Sequence, residues 1–331
     1  MAKFLIIRFS SIGDIVLTTP VVRCLKQQVK ESEIHYLTKK NFTPIIAENP
    51  YIDRIHILEE SLWKVIGELK KEKFDYIIDL HRNIRTFLVK LSLNTITFSF
   101  NKLNLKKWLL VNIKRDRLPR KHIVDRYLET LKLFSISNDG NGLDYFLPDS
   151  AHFDMDEVVN THSKKIVTIV AGGGHFTKQI PGEKLTELIQ ALDFNIMLIG
   201  GKEDIPKAEL ILSQLGMKKV NNLVGKLSLA ESALLIKQSD IIVTPDTGMM
   251  HIAAAFKKPV ISLWGNTVPE FGMYPYLPGK GSAIFEIKGL SCRPCSKIGF
   301  SKCPKNHFRC MQEQNIKEIT LTINKILSLN E

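Results

Sequence analysis

Apolar runs of strand length recur along the chain, each closed by a loop of glycine or short polar residues and followed by a longer amphipathic stretch. That rhythm belongs to βαβ units, which bury a parallel sheet between layers of helix, so an α/β architecture follows. Two series are visible. In the first, Lys3–Phe9, Glu33–Thr38 and Tyr76–Leu80 read as strands, with helices over Ile15–Lys30 and Leu62–Lys73. In the second, Lys165–Ala171, Asn195–Ile199, Asp240–Thr244 and Pro259–Leu263 read as strands, separated by helices near Gly182–Leu192, Ile205–Leu215, Ala230–Gln238 and Met249–Phe256. Between the series, Ser135–Lys164 is rich in Asn, Asp, Gly and Ser and contains Pro148, which marks a linker. The expected domains are therefore residues 1–155 and 156–331. A last stretch, Ile316–Leu329, repeats Ile316, Ile319, Ile323, Ile326 and Leu327 at helical spacing and should pack back on one of them. The pattern predicts two doubly wound, Rossmann-like domains facing a central cleft. Ligands of such sheets bind outside the carboxyl ends of the strands, so the chemistry is expected in strand-to-helix loops.

The 331 residues suffice for two such domains. The longest apolar runs are a handful of residues, against the ~20 that a helix needs to cross a bilayer. At the N-terminus Phe4–Ile7 is cut by Arg8 and followed by Ser10, Ser11 and Asp14, too short and polar for a signal-peptide core, so a cytoplasmic location is expected. Formal charge is +12, and two segments carry all of it: residues 101–122 hold eight Lys/Arg against one acid, and residues 281–310 hold six against one. Such patches suit an anionic partner, whether nucleic acid, an acidic membrane surface or a phosphorylated substrate. No recognition helix, RNP or zinc-finger pattern accompanies the charge, so nucleic acid is not the expected partner. Around Trp108, Asn101–Arg115 mixes Leu103, Leu109, Leu110 and Ile113 with Lys102, Lys106, Lys107 and Lys114. The segment reads either as a core-packed helix with solvated lysines or as a basic amphipathic surface for an anionic inner leaflet.

The most informative loop is Thr244-Pro245-Asp246-Thr247-Gly248-Met249-Met250-His251, which follows an Ile/Val strand and opens a helix through Ala253–Ala255. Thr247 and Gly248 would present backbone N–H groups at a helix N-terminus, a favourable place for phosphate. Asp246 is either part of that site or a plain helix cap, and His251 either a ligand contact or a packed residue. A second polar turn, Gly265-Asn266-Thr267, ends the next strand. A third loop, Gly172-Gly173-Gly174-His175-Phe176-Thr177-Lys178, joins backbone freedom to a point charge, in the manner of anion-binding concavities, or is a flexible loop with a solvated lysine. In a fourth, Gly200-Gly201-Lys202-Glu203-Asp204, a carboxylate would grip a ribose diol or cap a helix. In the first series, Ser10-Ser11-Ile12-Gly13-Asp14 follows the opening strand, where Asp14 is either a helix-dipole partner or a general base. Arg82 and Arg85, in Asp79-Leu80-His81-Arg82-Asn83-Ile84-Arg85, suit a phosphorylated or carboxylated acceptor.

Taken in order, these loops resemble those of glycosyltransferase family 9, the ADP-heptose:lipopolysaccharide heptosyltransferases, over almost the whole chain. The likeness rests on Ser10-Ser11-Ile12-Gly13-Asp14, Asp79-Leu80 with Arg85, Lys178 before Pro181, Gly200-Gly201 with the nearby acids, Asp246-Thr247-Gly248 with His251 and Ala253-Ala254-Ala255, and Gly265-Asn266-Thr267. It implies a GT-B fold and an inverting transfer of heptose from ADP-heptose to a phosphorylated, lipid-linked sugar, with no cofactor and no metal. By the same resemblance Asp14 is the general base and Lys178 the charge on the donor diphosphate. Asp246, Thr247, Gly248 and His251 hold the donor, with Asp204 or Glu203 on its ribose; Gly173 and Gly174 join them on the residues alone, as backbone that can approach a ligand closely. Ser10, Ser11, Gly13, Arg82 and Arg85 face the acceptor. The chain departs from its relatives at Gly173, Gly174 and Ile180, where they often carry hydroxyl residues and an aromatic. Other readings keep the fold with a different nucleotide sugar, or make the chain a non-catalytic sugar-nucleotide sensor. Asp154-Met155-Asp156 imitates the metal-binding acid pair of other glycosyltransferases but falls in the linker, not after a strand.

Of five cysteines, Cys24 is isolated, while Cys292, Cys295, Cys303 and Cys310 cluster with His307. A Cys-x-x-Cys pair plus two more suits zinc, yet the six-residue gap of the second pair departs from the tight spacing of zinc ribbons. The cluster is read as a structural element, and no metal is assigned to it.

Overall fold

The computed structural model describes residues 2–155, 165–216 and 220–328. Two compact units divide the chain: Met1–Leu103 with Lys121–Pro148, and Asn104–Arg120 with Asp149–Glu331. Elements of the first are β1 (Ala2–Ile7), α1 (Ile12–Val16), α2 (Thr19–Gln28), β2 (Ser32–Lys39), β3 (Arg54–Leu58), α3 (Leu62–Glu72), β4 (Tyr76–Asp79), α4 (Ile84–Leu93) and β5 (Ile96–Ser99). After α5 (Asn104–Trp108), which belongs to the second unit, α6 (Ile123–Leu128) returns to the first. The second unit continues with β6 (Ile166–Val170), α7 (Gly182–Ala191), β7 (Asn195–Ile199), α8 (Ile205–Gln214), β8 (Asn221–Asn222), α9 (Leu229–Gln238), β9 (Ile241–Pro245), α10 (Gly248–Ala255), β10 (Val260–Trp264), β11 (Ala283–Glu286), α11 (Arg309–Gln312) and α12 (Ile316–Ser328).

Both sheets are parallel. The first runs β3-β2-β1-β4-β5 and the second β11-β10-β9-β6-β7-β8. Strand order therefore reverses between β1 and β4 in one unit and between β6 and β9 in the other, the positions where a doubly wound sheet opens a crevice at its carboxyl edge. The central strands β6, β7, β9 and β10 are buried at every residue, as a parallel sheet covered on both faces requires. Leu5, Ile7, Leu37, Leu69 and Ile77 anchor the first core, and Val167, Ile169, Leu188, Ile196 and Val243 the second. The C-terminal helix α12 joins that second core through Ile319, Ile323 and Ile326 and packs on α7.

Two expectations are revised, and the linker keeps its place. The helix read over Ile15–Lys30 is broken into α1 and α2, because Pro20 has no N–H for the Val16 carbonyl; Thr19 Oγ1 donates to that carbonyl instead, at 2.8 Å. The segment 104–120, read as part of residues 1–155, groups with the second unit, where the Lys114 ammonium donates to the carbonyls of Cys292 and Pro294 at 3.1 and 2.7 Å. Lys107 also lies 5.5 Å from the Phe271 ring centroid. The linker Ser135–Lys164 is crossed by the unit boundary at Pro148; of Asp154-Met155-Asp156, the last residue lies outside the described residues.

Candidate active site

In the second unit the loops after β6 and β9 meet at the reversal of strand order. Lys178, on a single 3-10 turn Phe176–Lys178, places its ammonium 2.6 Å from Asp246 Oδ2. Thr267 Oγ1 donates to the same carboxylate oxygen at 2.9 Å, so the loop after β10 joins the group. These side chains are mostly buried, at 18% exposure for Lys178 and 11% for Asp246. The helix cap of α10 is Thr247, not Asp246, and its side chain makes no capping bond; Thr247 Oγ1 bonds Thr244 Oγ1 at 3.0 Å. The first N–H groups of α10, from Gly248 on, are thus left to an incoming anion. His251 lies on the first turn behind them and is 2% exposed.

The glycine loop takes its shape from what it packs against. A Cβ on Gly172 would stand 1.8 Å from Asp204 Oδ2, so any larger residue there would displace that carboxylate. Asp204 is 4% exposed and accepts from the Gly201 N–H at 2.9 Å, while burial raises its pKa. Its role in the fold is to close the turn before α8; Glu203 beside it is exposed. Gly173 is partly exposed beside Thr247, its carbonyl held by Gln179 Nε2 at 2.9 Å, and Gly174 is exposed with nothing around it. Lys207, which sequence reasoning missed, ties the two ends of this loop by donating to the carbonyls of Ala171 and Ile180 at 2.8 and 2.5 Å. Burial pulls its pKa down to about 8.

A long segment after β11 braces the same loops. Arg293 donates to the carbonyls of Gly265, Ile287 and Thr267 at 2.5, 2.6 and 2.9 Å and pairs with Glu286 at 2.9 Å. Asn266 accepts from the Cys295 N–H at 3.1 Å and donates through Nδ2 to Ser296 Oγ at 3.2 Å. Phe300 and Thr177 exchange bonds, Phe300 N–H to Thr177 Oγ1 at 2.8 Å and Thr177 N–H to the Phe300 carbonyl at 3.2 Å. Lys178 and the Gly265–Thr267 turn are thereby held from behind. Arg293 was not singled out in the sequence, where it is one of many cations in a basic stretch.

In the first unit the loops after β1 and β4 meet in the corresponding place. Asp14 pairs with Arg8 at 2.7 Å and accepts from the Ser11 hydroxyl and N–H at 3.0 and 3.3 Å. Burial acts to raise the pKa of Asp14, but Arg8 and the Ser11 donors outweigh it and hold the carboxyl below its ordinary range. Asp14 remains 23% exposed, and Gly13 is buried beside it in α1. Arg8 is also bonded to the carbonyls of Ser10 and Leu80, at 2.8 and 2.5 Å, and to Tyr127 Oη at 3.1 Å. Its one legible sign in the sequence is a charge closing an apolar strand. Burial, with Arg8 and Lys102 adding to it, pushes His81 down to about 4. The two arginines proposed for the acceptor diverge. Arg82 donates to the Phe100 carbonyl at 3.2 Å, whereas Arg85 lines a cavity of about 470 Å³ with Lys39, Lys40, Glu59 and Glu60. Lys39 and Lys40 are further cations that the sequence did not mark.

Residues 62–300 match the family described as glycosyltransferase family 9 (heptosyltransferase). Lipopolysaccharide heptosyltransferase 1 of Campylobacter coli is 26% identical over 291 residues, covering 80% of this chain and 84% of that protein. Lipopolysaccharide heptosyltransferase 3 of Escherichia coli K12 is 24% identical over 278 residues, covering 77% and 80%. Among solved structures, the E. coli ADP-heptose LPS heptosyltransferase II shares the fold at a TM-score of 0.70 and 18% identity, with 99% of each chain covered.

Proposed function

The chain belongs to glycosyltransferase family 9, the heptosyltransferases, and from that premise we propose that it moves heptose from ADP-heptose to a phosphorylated, lipid-linked sugar of the lipid A/core region, with inversion and without a catalytic metal. The observation that carries this reading is the Lys178–Asp246–Thr267 group beside the free N–H groups of α10. When the acceptor oxygen attacks the anomeric carbon, the bond to ADP breaks and negative charge gathers on the departing diphosphate. Lys178 and the α10 N-terminus stabilise that charge, a preorganised electrostatic effect. Asp246, Thr247 and Gly248 hold the donor, with Gly173 and Gly174 giving the backbone room to approach and Glu203 at its ribose. Asp14 takes the acceptor proton; Arg8 keeps it ionised and therefore ready to do so. Arg85, with Lys39 and Lys40, offers charge for an acceptor phosphate.

An anionic inner membrane face is the proposed place of work. Among the described residues no helix is long and apolar enough to cross a membrane. Leu105, Trp108 and Ile113 are 71%, 48% and 50% exposed beside Lys106 while Leu110 is buried, so the segment packs on one side and offers an amphipathic basic surface on the other, which supports this reading.

The test is calorimetric titration of EDTA-treated protein with ADP, UDP and ADP-heptose. Adenine ligands should bind without metal and weaken at least tenfold in Lys178→Ala and Asp246→Ala. Binding of UDP in their place would replace the donor, and no nucleotide binding would remove the catalytic reading. Asp14→Asn should retain donor binding and lose turnover; full activity in that variant would strike Asp14 from the mechanism.

A further inference from the structure

The helix α4 of the first unit turns its apolar side to solvent. Ile84, Phe87 and Leu91, spaced by three and four residues along one stripe, are 80%, 58% and 66% exposed, while Thr86 and Val89 on the opposite side are buried. Contacts on the inner side fix this rotation. Asn83 and Thr86 form a reciprocal cap, the Asn83 N–H donating to Thr86 Oγ1 and the Thr86 N–H to Asn83 Oδ1, each at 2.9 Å. One turn further on, the Lys90 ammonium pairs with the buried Asp79 carboxylate at 2.8 Å, and Val89 and Leu93 pack on the first core. Rolling the helix to cover the stripe would take Lys90 from Asp79 and Val89 from the core. The outward apolar face is therefore specified by the fold.

Contiguous apolar surface of this kind marks a place where something binds. Its charge says what. From Leu80 to Leu103 the chain carries Arg82, Arg85, Lys90 and Lys102 and no acid. Arg82 and Arg85 are exposed on either side of Ile84, at the entrance to α4. Trp63 is exposed on the first turn of α3, the helix packed beside α4, with the exposed Lys64 next to it. Ile96 is exposed just past the Asn94 cap, on the edge strand β5. Aromatic and aliphatic side chains interleaved with cations suit the boundary between acyl chains and anionic headgroups. A second copy of this chain, docking through the same face, would bring the same cations to the contact and no acid of α4 to answer them.

We propose that the outer face of α4, with Ile84, Phe87 and Leu91 as its apolar stripe and Arg82 and Arg85 at its entrance, seats the first unit on an anionic lipid bilayer. The inference rests on the reading of the acceptor as a lipid-linked sugar and says where that lipid approaches. Arg85 is the link between the two. It stands next to Ile84 on the first turn of α4 and lines the cavity with Lys39 and Lys40, so a bilayer held against the stripe presents its headgroups beside the place proposed for the acceptor phosphate. This contact belongs to the first unit and is separate from the Leu105–Ile113 surface, which belongs to the second.

The test is co-sedimentation of the full-length chain with vesicles of phosphatidylcholine and phosphatidylglycerol, beside vesicles of phosphatidylcholine alone. Wild type should bind the anionic vesicles about tenfold or more tighter than the neutral ones and lose that preference in high salt. Phe87→Glu combined with Leu91→Glu should weaken binding to anionic vesicles about tenfold or more while ADP affinity and Tm stay as in wild type; Leu133→Glu, at a residue 80% exposed elsewhere on the same unit, should change none of these. Wild-type binding in the α4 variant, with loss in Trp108→Glu, would overturn the inference and leave the membrane as the place of work. A wild type that binds no vesicles would overturn both, while heptosyl transfer still stands or falls on the nucleotide titration. A dimer in solution that the α4 variant splits would give the face to a second copy and overturn the inference as well. Should the two glutamates disturb the fold, Phe87→Gln with Leu91→Gln removes the apolar stripe without adding charge, and vesicle binding as tight as wild type in that variant would count against the proposal just as directly.

Discussion

Replacing Gly172 with alanine tests whether the donor loop is shaped by the buried carboxylate behind it. The added methyl would stand 1.8 Å from Asp204 Oδ2 and 2.5 Å from its Cγ, far inside any real contact, so Asp204 must move. Asp204 is 4% exposed and accepts from the Gly201 N–H at 2.9 Å. Losing that bond costs about 1 kcal/mol, as for other turn-closing caps. Overpacking the site adds about 1–3 kcal/mol. A total near 3 kcal/mol corresponds, for a unit of this size, to roughly 6–12 °C in Tm. Calorimetric melting of the wild type, Gly172→Ala, Asp204→Ala and the double variant gives the assay. Once the carboxylate is gone the methyl has room, so the double variant should be about 2 kcal/mol more stable than the two single losses predict. Gly174→Ala, with nothing within 4 Å of its added methyl, is the control and should stay within about 0.5 kcal/mol. Additive losses, or a Gly172→Ala protein as stable as Gly174→Ala, would refute the reasoning.

Burial, with His35 adding to it, pushes His56 down to about 4 from an ordinary 6.5, so the unfolded chain binds its proton first as the solution is acidified. Stability should be full above pH 6.5 and fall by up to about 3 kcal/mol toward pH 4 from this group; urea midpoints measured across that range should show His56→Gln with a shallower decline, and an unchanged decline would count against it. Arg8→Gln removes the charge that holds Asp14 down against burial, so the acid limb of kcat/KM should move to higher pH. A limb that stays in place would mean Asp14 is not the group being titrated. Arg293→Lys cannot reproduce a fork bonded to three carbonyls and one carboxylate, so ADP affinity should fall severalfold despite the retained charge; unchanged affinity by titration would show that the brace is dispensable.

How far the sequence could be read depended on burial. The strands β6, β7, β9 and β10 are apolar on both faces and stand out as continuous runs, and the loops behind them fall into place with them. The strands β3, β5, β8 and β11 lie at or near sheet edges with half-exposed residues, and their patterns are too short and mixed to register. The helix α4 inverts the usual rule, burying Thr86 and Val89 while Ile84, Phe87 and Leu91 are 80%, 58% and 66% exposed, so amphipathic reading passes it by. In the site, Lys178 and Asp246 were each legible as loop residues, but their pairing depends on β6 and β9 being neighbours, which is a fact of topology. Lys207 and Arg293 went unmarked, and Arg8 showed only as a charge closing an apolar strand, for another reason. Each is a buried or half-buried cation bonded to backbone carbonyls, and a carbonyl leaves no trace in a sequence.

The division into units has a consequence for how such a chain can be made and cut. Because residues 104–120 belong with the C-terminal unit, the polypeptide passes between the two three times, after Leu103, Arg120 and Pro148. A fragment ending at Pro148 would carry an orphaned helical segment, with Leu110 stripped of its cover, Lys107 of the Phe271 ring and Lys114 of its carbonyls. A fragment beginning at Asp149 would lack the lysine that steadies the Cys292–Pro294 turn. On the ribosome, the N-terminal unit can close its sheet early, but this stitch stays open until the last cysteine-bearing stretch has emerged. Neither half is a severable module, and a stand-alone C-terminal unit must be rebuilt by grafting residues 104–120 onto it.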